Sequence, residues 1–328
     1  MAEKPEPQRA TRYVRPAVTR SRLMLEVASE LVGGDDWPYK QARVLLREQG
    51  AAEWAVNFFG SDSPQAIWEV GEKKADLAIV NPAAPVTLAV RGQGPFKEPL
   101  PLRAVTVIPS LDRIGFAVSQ RTGLASLDAV RERRFPLRVS LRGHPDHSVH
   151  LFIREALVAA GFTLEDITRW GGEVRYDDRM ANGPRRMEAL ASGQIDAIFD
   201  EAVGLWGDQA LEADMRFLSL DAPLLGKLTA MGFRRATLTN SQCSKLKDDV
   251  LTLDFSGWMV FTRADVPDEI VRAFCRGLEA RRDKIPWQGE GPLPLEKMCR
   301  DTPEGPLDIP LHPAAEEYWR ERGYLPKP

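Results

Sequence analysis

Arg142-Gly143-His144-Pro145-Asp146-His147-Ser148 places a guanidinium, two imidazoles and a hydroxyl at the start of an apolar helical run. Gly143 permits a tight turn, and a helix beginning near Asp146 aims free N–H groups at whatever lies before it. With Arg142, His144, His147 and Ser148 these groups could cradle a carboxylate or a sulfonate. The plainer reading is that Asp146 or Ser148 only caps the helix. If the site does chemistry, His144 or His147 is the acid/base, because an unperturbed imidazole titrates near pH 6.5. His147 and His150 share a helix face at i, i+3, which raises a metal. Asp200 and Glu201 would have to complete that shell, and no spacing brings them there, so no metal is expected.

Other polar turns follow runs that read as strands. They are Ser29-Glu30, Ser61, Asn81, Tyr176 and Asp200-Glu201. In open α/β sheets, ligands bind beyond the carboxyl ends of the strands, so each is a candidate contact. The adjacent acids Asp200 and Glu201 suit an amine or hydroxyls, or they form a solvated loop. Phe59 and Trp258 are either aromatic pocket walls or plain core. The arginines of 131–134 and 281–282 read as solvated helix faces. No GxSxG, GxxxxGK[ST], HExxH or GxGxxG occurs, so no cofactor is expected.

The elements that must position these groups alternate β-rich and helical runs, which predicts an α/β fold with mostly parallel strands. Strands are expected at 23–27, 54–59, 76–80, 103–108, 113–119, 137–141, 173–176, 195–199, 250–253 and 258–261. Helices are expected at 39–49, 64–74, 148–160, 184–192, 203–211, 267–280 and 314–322, with a short one opened by Ser126. Strand, polar turn and helix recur in similar order over 54–80 and 137–199, a weak internal symmetry of two lobes.

A length of 328 residues gives a prior of two domains at about 150 residues each. With 43% hydrophobic and 28% charged residues the chain can build real cores. A net charge of −3, from 44 basic and 47 acidic residues, excludes a globally basic nucleic-acid binder but leaves room for a local basic pocket. Three scattered cysteines without CxxC exclude a disulfide framework and a zinc site. The longest apolar stretch, 77–90, is interrupted by Asn81, Pro82 and Pro85 and is too short to span a membrane. Residues 1–19 read as a flexible lead without a secretory apolar core, which predicts a cytoplasmic protein, or a periplasmic one if the chain is trimmed.

The segments FFGSDSPQAIWEVGEKKADLAIVNPA, DRIGFAVSQRTGLASLDAVR, LRVSLRGHPDHSVHLFIREALVAAGFTLEDI, RMEALASGQIDAIFDEA and GWMVFTRADVPDEIVRAF together resemble, in that order, type II periplasmic-binding-protein folds. They are most similar to TAXI-type solute receptors of TRAP transporters, and more distantly to thiamine-precursor and aromatic-sulfonate binders. The resemblance covers about residues 23–285. It implies two Rossmann-like lobes, 20–119 plus 250–328 and 120–249, joined by crossings near 120 and near 250, with ligand in the cleft. It implies a non-enzymatic binder of a small organic anion, partnered by transporter membrane subunits or by a second copy. The same fold also hosts cytoplasmic decarboxylases of aromatic acids, which keeps an enzyme reading open.

Overall fold

Short β-branched runs alternating with Ala- and Leu-rich runs form two five-stranded sheets in the computed structural model, which describes residues 16–33, 41–47, 55–61 and 63–326. The chain divides into two compact units, Met1–Ala42 and Arg43–Pro328. Helix α1 (Pro16–Gly33) is the described element of the first.

From there the chain runs through β1 (Ala42–Arg47), β2 (Ala55–Gly60), α2 (Gln65–Gly71), β3 (Leu77–Val80), α3 (Ala84–Arg91) and β4 (Leu102–Ile108). It continues with β5 (Gly115–Ser119), α4 (Leu127–Glu132), β6 (Arg138–Leu141), α5 (Val149–Ala159), α6 (Leu164–Arg169), β7 (Glu173–Tyr176), α7 (Pro184–Ala191) and β8 (Ala197–Asp200). Then come α8 (Val203–Glu212), β9 (Met215–Phe217), α9 (Ala222–Met231), β10 (Arg235–Leu238) and β11 (Val250–Leu253). Last are β12 (Trp258–Arg263), α10 (Asp268–Ala280), α11 (Leu295–Met298) and α12 (Pro313–Glu321).

The first sheet has the order β1-β2-β3-β12-β4 and the second β7-β6-β8-β5-β9, while β10 and β11 form an antiparallel ribbon. Each sheet centres one α/β lobe. β2–β3, β6–β7 and β6–β8 pair in parallel. β12 runs antiparallel to both β3 and β4, and β5 antiparallel to both β8 and β9. The expectation of mostly parallel strands fails at these two. β5 follows β4 of the first sheet and β12 follows β11 of the ribbon, each without an intervening helix, so they arrive reversed. The crossings are residues 109–114 and 254–257, so the first lies earlier than position 120. The register Gly115↔Asp200 and Met259↔Val80 brings the ends of β8 and β3 to these crossings.

Two expected elements change type. The run 23–27 lies inside helix α1, where Leu, Met, Glu and Ala are all good helix formers and no two-residue alternation exists. The expected helix at 39–49 contains strand β1, since pairing beside β2 overrides local propensity; positions 39, 40, 48 and 49 lie outside the described residues. Ser126 caps α4 as its type predicts, accepting from Ala129 N at 3.1 Å.

Three apolar clusters hold the molecule. One joins the α2/α3 face of the first sheet to α5, α9 and the second sheet. Another packs α10, α11 and α12 on the opposite face of the first sheet. The third lies under α7 and α8. Among the largest fully buried side chains are Trp206, Trp319 and, unusually for its charge, Arg186.

Candidate functional site

β8 ends in Asp200, whose side chain is wholly buried. A buried carboxylate must be paired, and the neighbouring strand supplies the partner. Arg142, the first residue after β6, donates from Nε at 3.2 and 3.1 Å and from Nη2 at 2.9 Å to Asp200. Its Nη2 also pairs with Glu201. From behind, Arg186 of α7 donates Nη1 to Asp200, Nε to Ser140 Oγ at 2.9 Å and Nη1 to the Ala181 carbonyl at 2.9 Å. Burial pushes the Asp200 carboxyl upward, but the guanidinium groups of Arg142 and Arg186 more than offset this and hold it below the usual range. The same carboxylates raise Arg142 against its own burial.

The turn after Arg142 needs its glycine. Gly143 donates its N–H to the Asp178 carbonyl at 2.7 Å, and a Cβ there would lie 2.7 Å from the Asp177 carbonyl oxygen. His147 follows, with its ring 9° from parallel to Phe255 of the second crossing at 6.3 Å between centroids. Burial, reinforced by the Arg142 charge, drives its pKa down to about 3. The imidazole is therefore neutral, and its 4.0 Å approach to Glu201 is not an ion pair. Nδ1 instead accepts from Val149 N at 3.2 Å, which fixes the tautomer with the proton on Nε2.

The crossings close the floor. Arg113 Nη1 donates to Asp254 at 2.5 Å and to Ser256 Oγ at 2.8 Å, and Phe255 N donates to the Asp112 carbonyl at 3.0 Å. Both Asp112 oxygens accept from Ala202 N at 3.1 Å. Ala202 sits in the left-handed region at φ 53°, a costly conformation for a residue with a Cβ. Burial first, and Glu201 second, push the Asp112 carboxyl well above its ordinary value of 3.8. The Asp112 carboxyl therefore keeps a proton to higher pH than a free carboxyl does.

That raised carboxyl sets a pH dependence. A group whose folded pKa is raised binds more protons folded than unfolded, so its stabilising contribution is complete below 3.8 and declines as pH climbs toward the folded value. Asp200, held low, has the opposite sense, and its contribution is lost as pH falls. We expect Asp112→Asn to flatten the loss of stability as pH rises above 3.8 in urea unfolding. An unchanged slope would contradict a protonated Asp112.

The expected residues divide as follows. Arg142, His147, Asp200 and Glu201 come together, joined by Asp112, Arg186 and Ser140. His144 lies beside His147, with 5.9 Å between ring centroids, and Ser148 is fully buried at the N-cap of α5. Ser61 is buried at the end of β2, where its Oγ accepts from Ser63 N at 3.0 Å. Tyr176 is 56% exposed at the end of β7 and packs on His150. Phe59 is core, packed with the α2/α3 face. Asn81 directly follows β3, and Trp258 opens β12 opposite Ile108 of β4. Ser29 and Glu30 are corrected: they are exposed positions within helix α1, not a turn after a strand, because the run before them is helical. Arg142 is corrected in one respect, since its guanidinium is already paired with Asp200 and Glu201 and only Nη1, with one 3.3 Å bond to the Arg179 carbonyl, has capacity left. Asp112 and Arg186 escaped the sequence because a buried charged residue reads like a surface one until its partner is known. Among the described residues no cluster of three or more His, Cys, Asp or Glu could hold a metal.

A family profile described as the NMT1-like family matches residues 59–323. No curated protein matches the chain. Among solved structures, the alkanesulfonate-binding protein SsuA from Xanthomonas axonopodis pv. citri, bound to MOPS, is similar at 14% identity and a TM-score of 0.27, covering 67% of this chain and 62% of that one. The periplasmic aliphatic sulphonate binding protein SsuA from Escherichia coli is similar at 14% identity and a TM-score of 0.31, covering 66% and 53%. The chain thus spans less than two thirds of the length of either.

Proposed function

The chain belongs to the NMT1-like family, and from that premise we propose that it binds a small organic anion, a carboxylate, in the cleft between its two lobes. One observation carries the reading. Arg142 and Arg186 hold more N–H groups than their carboxylates use: Arg142 Nη1 has a single 3.3 Å bond to the Arg179 carbonyl, and buried Arg186 Nη2 has no acceptor. A buried donor without an acceptor is costly, and an anionic ligand supplies one. In this reading His144 and His147, on the turn after Arg142, and Ser61, Ser148 and Tyr176 are the further contacts to the ligand. In the finer TAXI-type reading the protein hands this ligand to the membrane subunits of a transporter outside the cytoplasm. No described helix is long and apolar enough to cross a membrane.

Arg142→Lys tests the contact. Lysine keeps a charge for Asp200 and Glu201 but cannot present the planar fork. By calorimetric titration we expect the best ligand in a panel of small aromatic and aliphatic carboxylates to bind about tenfold more weakly, the scale of one charge-assisted hydrogen bond. Equal affinity would remove Arg142 from the site.

A second reading is favoured by one feature, the Asp112 carboxyl, which burial and Glu201 hold above its ordinary range, with His147 4.0 Å from the same Glu201. In a decarboxylase the bond from a ring carbon to the departing carbon dioxide breaks, and the electron pair left on that carbon takes a proton. Asp112 is placed to hold that proton. Turnover of an aromatic acid, lost in Asp112→Asn while binding persists, would establish the enzyme. Binding without product across the panel would establish the receptor.

A further inference from the structure

β9 is the last strand of the second sheet, so one of its edges has no strand beside it. All three of its residues line a cavity of about 520 Å³, a size usual for ligand pockets. α8 adds Leu211 and Glu212 to the wall, and the segment before β11 adds Lys245, Leu246, Lys247 and Asp248, with Val250 at the start of that strand. Glu212, Lys245 and Lys247 are exposed, so the cavity is open to entry. It shares no lining residue with the Arg142–Asp200 cluster.

Arg216 stands out among the arginines of this sheet. Arg138 of β6 pairs with Asp196, and Arg175 of β7 pairs with Asp177. Arg216 is half-buried, and its guanidinium has no hydrogen bond and no ion pair among the described residues. A guanidinium offers only donors and keeps its charge, so the missing partner is an anion. The other charges of the lining set how much anion. Lys245 is bound to Glu212 at 2.5 Å, and these two cancel. Lys247 and Asp248 have no partner among the described residues. Arg216 and Lys247 therefore exceed Asp248 by one positive charge, which a single negative charge balances. Leu211, Leu246 and Val250 make the rest of the wall apolar and suit an apolar body. We propose that this cavity is a second small-molecule site and that it takes a singly charged carboxylate with an apolar body. The carboxylate lies on the planar fork of Arg216, Lys247 adds its charge, and the body lies against Leu211, Leu246 and Val250. This inference does not rest on the cleft reading.

The test uses probes of one shape and different charge: phenylbutyrate, phenylbutanol and phenylbutylamine. They are titrated into the full chain with isotope-labelled methionine methyls. Met215 lines this cavity, so its methyl signal, assigned with Met215→Leu, reports occupancy here and not in the cleft. Phenylbutyrate is expected to shift that signal saturably, with the alcohol about tenfold weaker and the amine without effect at the same concentration. Arg216→Gln removes the charge and breaks no bond of the folded chain, so phenylbutyrate should weaken about tenfold with the thermal transition little changed. Arg142→Lys should leave the Met215 response as it is. Four results would overturn the proposal: no saturable shift of Met215 at millimolar phenylbutyrate, the alcohol or the amine binding as tightly as the acid, equal affinity in Arg216→Gln, or a Met215 response lost in Arg142→Lys. If Arg216→Gln does not fold, the wild-type comparison of the three probes decides alone.

Discussion

Arg142→Ala is expected to destabilise the folded protein by about 3–5 kcal/mol at neutral pH. From the sequence alone the same change looks mild, because Arg142 stands in a turn and its loss leaves no core cavity. The structure reverses this. Its side chain is 6% exposed, and it is an ion-pair partner of both Asp200 and Glu201. Removing it strands two buried carboxylates, with only Arg186 left to Asp200. One group will then take up a proton, so the destabilisation should shrink as pH falls, and adding Glu201→Gln should recover part of it. Urea unfolding of wild type, Arg142→Ala and the double variant checks this. A loss under about 1 kcal/mol, the scale of an exposed pair, would show that the cluster is not closed as described.

Phe255→Ala is expected to cost about 3–5 kcal/mol, and to change His147 as well. Phe255 is fully buried within the second crossing, with its ring edge-on to Phe152 at 4.8 Å and face-parallel to His147. One side chain therefore ties the crossing to α5 and screens the imidazole from water. Burial is the largest cause of the low His147 pKa, so opening a cavity at Phe255 should move that pKa up from about 3 toward 6.5. An NMR pH titration of the imidazole protons reads this directly. Phe255→Leu, which refills most of the volume, should lose less stability and shift the imidazole less. A cost of Phe255→Ala below about 1 kcal/mol with His147 unmoved would separate the crossing from the site.

What the sequence disclosed follows from the range of the forces concerned. Local signals survived: Ser126 as a cap, the boundaries of β7 at 173–176, and the short buried strand ending before Asn81. Gly143 was legible as a tight turn because only a glycine allows so close a backbone approach. Non-local facts were not legible. The reversal of β5 and β12 depends on which sheet each joins, and nothing within a five-residue apolar run encodes that. The run 42–47 carries as much helical as strand character, and its pairing beside β2 decides. Arg142, His147, Asp200 and Glu201 were named for strand-end position, and they do converge. Their partners Asp112 and Arg186 were hidden, one in a crossing and one on a helix with an ordinary amphipathic pattern. The sequence therefore pointed to the place but not to its charge balance, and the balance decides whether Arg142 stands open or engaged.

The central claim is that the cleft holds a small carboxylate, and native mass spectrometry of the full chain tests it most directly. The protein is purified without added ligand, sprayed from volatile buffer, and titrated with matched panels of small carboxylates and small amines of the same size. The account predicts a one-to-one adduct with a carboxylate, saturable and displaced by a second carboxylate, with the amines absent or far weaker because Arg142 and Arg186 leave donors and no open carboxylate. An adduct formed only by amines, drawn to Asp112 and Glu201, or no adduct with any member of either panel, would contradict it.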